Sequence, residues 1–351
     1  NGGAFGELQF LDHAVDRRRH FQHDLVGFEV DDILVALDRI ARVADLDVLQ
    51  LDAKVALQFA RHPLQVSVDA FTARPGVEIN RLPARSLLDR TPGKGVKMNG
   101  KRIESITTLS GKTYRGKMFI DATYVGDLMA AAGVTYTVGR EAESQYGEDM
   151  AGVRRGDTQP RVHYTQRDKD HFIKDVDPYV KPGDPASGLL PYVFRIEGLA
   201  NGQGDRKIQG YNYRVCLTTD PTLRIPIEKP AGYHAIDHEL LLRNFEAGDD
   251  RLPALIEPLA GKGAKVDWNN MHAVGSDLPG ANWDYPAASY ARRREIEKEH
   301  EIYIRGFLWT LAHSPRVPAA IRQKVSAYGL SKDEFTDNGG WPWMIYIREA
   351  R

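Results

Sequence analysis

The sequence predicts an α/β protein: a β-meander that returns through a buried strand, a tight turn and a helix, followed by a longer mixed α+β region. Three features carry this expectation. Two hairpin-type pairs, Asn99-Gly100 and Ser110-Gly111, punctuate strand-like text. A short apolar run, Lys117-Met118-Phe119-Ile120, ends in the small residues Ala122-Thr123 and leads into an alanine-rich stretch. Further on, Ile296, His300, Tyr303, Phe307 and Leu311 recur at helical spacing.

Taken along the chain, residues 96–99, 102–109 and 113–121 read as three strands, the last ending in the run expected to be buried in a sheet. Tyr124-Val125-Gly126-Asp127 is the turn. Leu128-Met129-Ala130-Ala131-Ala132 has strong helix propensity and closes at Gly133, a suitable C-cap. A strand ending in small residues before a helix offers a docking surface for phosphate, because the first helical turn presents N–H groups and a positive dipole end. Asp127, at the helix start, reads either as an N-cap or as a carboxylate that hydrogen-bonds a sugar or ribityl hydroxyl. Residues 289–312 predict a long helix with the stripe on its buried side. Residues 318–330 predict another, with Pro318 in its first turn and Ile321, Val325 and Tyr328 as its apolar side.

Composition narrows the function classes. Across 351 residues, 47 Lys and Arg against 48 Asp and Glu leave a net charge of −1, without the clustered basic excess of a nucleic-acid binder. Arg292-Arg293-Arg294 is flanked by Glu295, Glu297 and Glu299 and reads as a solvated helix face. No run of about 18 apolar residues predicts a membrane span. A lone cysteine, Cys216, excludes a disulfide framework and cysteine-ligated clusters, and its strand-like surroundings favour a buried, inert thiol. Residues 1–93 stand apart: every Tyr and Trp falls after residue 90, and Lys54 is the single lysine before it. That break suggests an atypical segment, not native to the fold or even to the reading frame. The chain starts at Asn1 without Met and stops at Arg351 soon after an apolar run, which reads as a fragment. Compartment and oligomeric state are not legible.

The run Phe119-Ile120-Asp121-Ala122-Thr123-Tyr124-Val125-Gly126-Asp127-Leu128-Met129-Ala130-Ala131-Ala132-Gly133-Val134 resembles the family of bacterial FAD-dependent oxidoreductases with a glutathione-reductase-like fold, members of which often carry the name xanthan lyase. The likeness continues through Tyr136–Glu141, Tyr211–Thr218, Val266–Asn270, Pro279–Pro286, Trp341-Pro342 and Tyr346–Arg351, so that it covers roughly residues 94–351. Tyr124 stands where such proteins usually have Gly. The resemblance implies FAD as cofactor, a small-molecule substrate and an incomplete FAD/NAD(P)-binding fold. It divides the chain into residues 1–93, a meander and return unit over 94–140, and a substrate or cap region over 141–351 that stops before a final FAD-binding segment. It places Ala122, Thr123, Gly126 and Asp127 against FAD. Arg140, Tyr213 and Arg214 fall on the substrate side, with His300 and Arg348 as catalytic candidates. The glycine-rich phosphate turn expected to open such a chain is missing from residues 1–93, which implies impaired FAD binding.

Two other readings stay open at this point. Trp and Tyr side chains between residues 268 and 290, with Asn269, Asn270, Asp277, Asn282 and Asp284, would also suit a carbohydrate-active lyase or a carbohydrate-binding module. The missing glycine turn would suit an inactive structural remnant. His234 and His238, four residues apart, would form a metal pair on a helix, but no third ligand follows at suitable spacing, so surface histidines at a helix start are expected.

Overall fold

The structure, a computed structural model, describes residues 87–154, 172–195, 198, 200–259 and 264–351. They fall into two compact units, one ending at Ala122 (with Leu259 adjoining) and the other running from Thr123 onward.

The first unit is the meander. β1 (Val96–Asn99) pairs antiparallel with β2 (Arg102–Thr107), which pairs antiparallel with β3 (Thr113–Arg115). Gly100 and Gly111 sit at the two turns with φ of +60° and +82°, where a Cβ would be strained, so both glycines follow from the hairpins. Cross-strand side chains fix the register: Thr107 and Thr113 share a hydroxyl hydrogen bond of 2.9 Å, and Glu104 receives Lys97 at 3.0 Å and Arg115 at 2.6 Å. The third strand is shorter than its sequence suggests. It ends at Arg115, and Met118 and Ile120 are 80% and 68% exposed. An apolar run becomes a buried strand only when neighbours hydrogen-bond its edges, and no strand among the described residues flanks 117–121.

The second unit holds two short helices, α1 (Asp127–Ala131) and α2 (Glu143–Tyr146), and then a five-stranded sheet. Its strands are β4 (Val215–Thr218), β5 (Arg224–Pro226), β6 (Ala254–Pro258), β7 (Lys265–Asn270) and β8 (Gly329–Ser331), in the order β5-β8-β4-β7-β6 and antiparallel throughout. β4 is central and buried at every position, which explains its unbroken Val-Cys-Leu-Thr text. α3 (Glu239–Glu246) buries Leu241, Leu242 and Phe245.

α4 (Tyr290–His313) is capped by the Ser289 hydroxyl, which accepts from Arg292 N at 3.1 Å, and its stripe Ile296, His300, Tyr303, Phe307 and Leu311 is buried as expected. Leu217, Trp268, Ile304 and Phe307 lie in one core with that stripe. α5 (Ala319–Ser326) is shorter than the predicted 318–330 helix. The remainder includes β8, because Gly329 lets the backbone approach Ile225, whose carbonyl oxygen would lie 2.3 Å from an added Cβ, and Leu330 then buries between β4 and β5. None of the helices formed by the described residues is long and apolar enough to cross a membrane.

Candidate functional site

α1 starts on a strained turn. Gly126 adopts φ 66°, ψ 35°, the left-handed region that only glycine occupies cheaply, and its N–H donates to the Thr123 hydroxyl at 3.1 Å. Asp127 follows, and the cap it was expected to provide is not made by a side chain. Its carboxylate instead turns to two arginines distant in sequence. Arg293 holds it with both terminal guanidinium nitrogens, Nη1 to Oδ2 at 2.6 Å and Nη2 to Oδ1 at 2.8 Å. Arg351 adds a third donor at 3.0 Å. The same guanidinium groups donate to main-chain carbonyls: Arg293 to Tyr285 and Pro286, Arg351 to Val125 and Pro286. The side chains of Arg293, Arg351 and Asp127 are only 6%, 2% and 13% exposed. The predicted solvated face is therefore corrected at its middle residue: Arg292 and Arg294 are exposed, while Arg293 is buried.

The chain's last stretch passes the other candidates. Tyr346 N donates to Asn212 O at 2.7 Å, Arg348 Nη1 reaches Gly210 O at 2.7 Å and the Asp277 carboxylate, and Tyr211 gives its hydroxyl to Glu349 O. Asp277 is partly buried, which pushes its carboxyl up, while Arg348 opposes the shift. Arg214 pairs with Asp267 and, at 3.4 Å, with Glu257, and its guanidinium and that of Arg348 both lie against the Tyr346 ring, at 5.8 and 5.5 Å. Tyr213 departs from this group, its ring 5.2 Å from Trp341 and its hydroxyl 3.5 Å from Glu297 O. Arg140 pairs with Asp205 and lines a cleft of about 730 Å³ with Glu141, Glu148, Asp149 and Glu349. Ala122, exposed, ends the first unit.

His300 is sealed in the core. Its Nδ1 lies 2.7 Å from Ile296 O, its Nε2 meets no hydrogen-bond partner, and burial lowers its pKa to about 4. The histidine pair expected at a surface divides. His234 is exposed, but His238 is buried between Tyr233 and Tyr303, and burial lowers its pKa to about 3. Among the described residues no three His, Cys, Asp or Glu groups come together as metal ligands. Cys216 is buried as expected, and its thiol is pushed up to about 12, the opposite of a nucleophile. The aromatics proposed for sugar stacking serve the interior: Trp268 is fully buried, Tyr285 packs edge-on against Tyr211, and Trp283 lies under Phe194 and Lys207.

Sequence reasoning gave Arg293 and Arg351 no role at the site and named Asp277 only for the carbohydrate reading. Asp127 lies 166 residues from Arg293 and 224 from Arg351, so no local spacing could pair them. One signal was present: Arg293 precedes Ile296 by three residues and His300 by seven, and so extends the buried stripe of α4.

No curated protein and no solved structure matches the chain. A family model described as FAD dependent oxidoreductase matches residues 38–351, reaching well before the start of the resemblance near residue 94. The chain thus belongs to the FAD-dependent oxidoreductases, an enzyme family whose cofactor is FAD.

Proposed function

We propose that this oxidoreductase has a glutathione-reductase-like fold, acts on a small-molecule substrate, and carries FAD against the turn from Thr123 to Asp127. The family match over residues 38–351 supports the reading most directly. The donor set at the turn fits an anionic, hydroxyl-bearing cofactor. Two buried guanidinium groups face one carboxylate there, which leaves one positive charge over, and the buried Nε of Arg351 has no hydrogen-bond partner. FAD, when bound, supplies the electron-transfer chemistry.

The chain's own residues shape and charge the place. Gly126 bends the turn, with its N–H held by Thr123 Oγ1. Asp127 acts through Arg293 and Arg351 and ties the turn to α4 and to the C-terminal stretch. Arg140, Arg214 and Arg348 each already face a carboxylate, so towards a substrate they orient polar groups and add little net attraction.

The test is the visible absorbance spectrum of the purified chain before and after incubation with FAD and removal of the excess. Retained flavin bands are expected, and Asp127→Ala should lower the retained flavin markedly. A colourless protein that ignores FAD refutes the placement. Unchanged flavin in Asp127→Ala confines that residue to an internal ion pair.

A further inference from the structure

A second cavity, of about 640 Å³, lies between Tyr192, the Gly232–Asp237 segment and the first turns of α4, and shares no residue with the Thr123–Asp127 turn. Its volume falls within the range usual for small-molecule sites. Tyr192 is held at φ 60°, a left-handed conformation that costs a bulky residue energy and recurs where a side chain must be aimed. Its hydroxyl donates to Glu299 Oε1 at 3.2 Å, and its ring meets Tyr303 edge-on at 5.5 Å. Asp237 lines the same cavity and is partly buried. Burial pushes its carboxyl up, opposed by His234, and no lysine or arginine among the described residues forms an ion pair with it. Of the cavity's cations, Lys298 pairs with Glu301 at 3.0 Å and Arg294 is exposed.

A partly desolvated carboxylate without a counter-charge, a second carboxylate one phenol away and two tyrosine rings together make a receptor for positive charge on carbon-bearing groups. A metal ion would require several oxygen ligands converging on one point, and the described residues form no such group. An ammonium with alkyl substituents needs fewer: one carboxylate to match the charge and ring faces to cover the methylenes. We propose that this cavity binds a small organic cation, an alkyl or quaternary ammonium, with Asp237 as its counter-ion and Tyr192 as its aromatic wall.

Isothermal titration calorimetry on the full chain at about pH 8 reads the site directly and needs no flavin. The probes are tetramethylammonium and butylammonium chlorides, with sodium chloride as the ionic control. Saturable binding is expected for the amines alone. Asp237→Asn should weaken it by about tenfold or more, with the fold retained because a burdened charge is removed. Tyr192→Ala should weaken it several-fold, whereas Tyr192→Phe, which keeps the ring, should bind nearly as wild type. Amine heats no larger than those of sodium chloride overturn the proposal, as does equal affinity in Asp237→Asn. Equal affinity in Tyr192→Ala removes the aromatic wall and overturns it too.

Discussion

At the scale of single residues, the deciding arrangement is one carboxylate between two arginines. Burying three charges is expensive unless each is matched and hydrogen-bonded. Here five guanidinium nitrogens are accounted for by the Asp127 oxygens and the carbonyls of Val125, Tyr285 and Pro286. The two partners are not equivalent on removal. Losing Arg293 leaves Asp127 and Arg351 as a matched pair. Losing Asp127 leaves two buried guanidinium groups with no opposing charge. Asp127→Asn should therefore destabilise the chain by roughly 3–5 kcal/mol, and Arg293→Ala by less. Urea denaturation of both variants checks the order. An equal loss would mean that lost packing, rather than unbalanced charge, sets the cost.

At the scale of elements, α4 lines the core of the second unit, and its glycine tests how. Gly306 sits in the helix interior, where replacement by Ala ordinarily stabilises by about 1 kcal/mol. Here a Cβ would lie 2.7 Å from His238 Nε2 and 3.0 Å from Tyr233 Cδ2, both on buried or half-buried rings packed against each other. Gly306→Ala should reverse the usual sign and destabilise by about 1–3 kcal/mol, read as a lower thermal midpoint. A raised midpoint would show that the His238 ring shifts freely. The contrast between α4 and its neighbours also explains what was legible. Residues 289–312 could be read because six turns of periodic text outweigh local noise, and the meander because Asn-Gly and Ser-Gly name their own turns. Residues 117–121 and 327–330 were misread in opposite directions. The first needed neighbouring strands that a one-dimensional pattern does not supply. The second hid a strand behind helix-compatible spacing, and only the close approach of Gly329 to Ile225 decides it. Of the candidate site, the turn around Gly126 was visible in small residues, whereas its arginine partners were joined only by folding.

At the scale of the whole molecule, pH acts among the described residues chiefly through two histidines that the fold keeps neutral. Near pH 7 the net charge is −1, so general repulsion is slight and specific groups govern the response. Burial lowers His300 to about 4 and His238 to about 3 from an ordinary 6.5. In both cases the unfolded chain binds the proton first, so stability rises with pH across the window and is complete above about 6.5. Descending from pH 6.5 to 5, the two together should remove roughly 3 kcal/mol. Carboxylates held down by their partners respond later and in the same direction. Asp249, held down to about 2 by its hydrogen bonds with Arg251, has an unfolded value near 4, so its contribution is lost only below that. The histidine loss is thus separable from acid denaturation in general by where it begins. Thermal midpoints should be level between pH 7 and about 8.5 and fall from about 6.5 downward. His300→Gln, whatever it costs at pH 7, should halve the slope between 6.5 and 5, because one of two proton uptakes is gone. A slope that starts only below pH 4.5, or that His300→Gln leaves intact, would mean that these imidazoles find water or a partner on protonation and that carboxylate pairs alone set the acid limit.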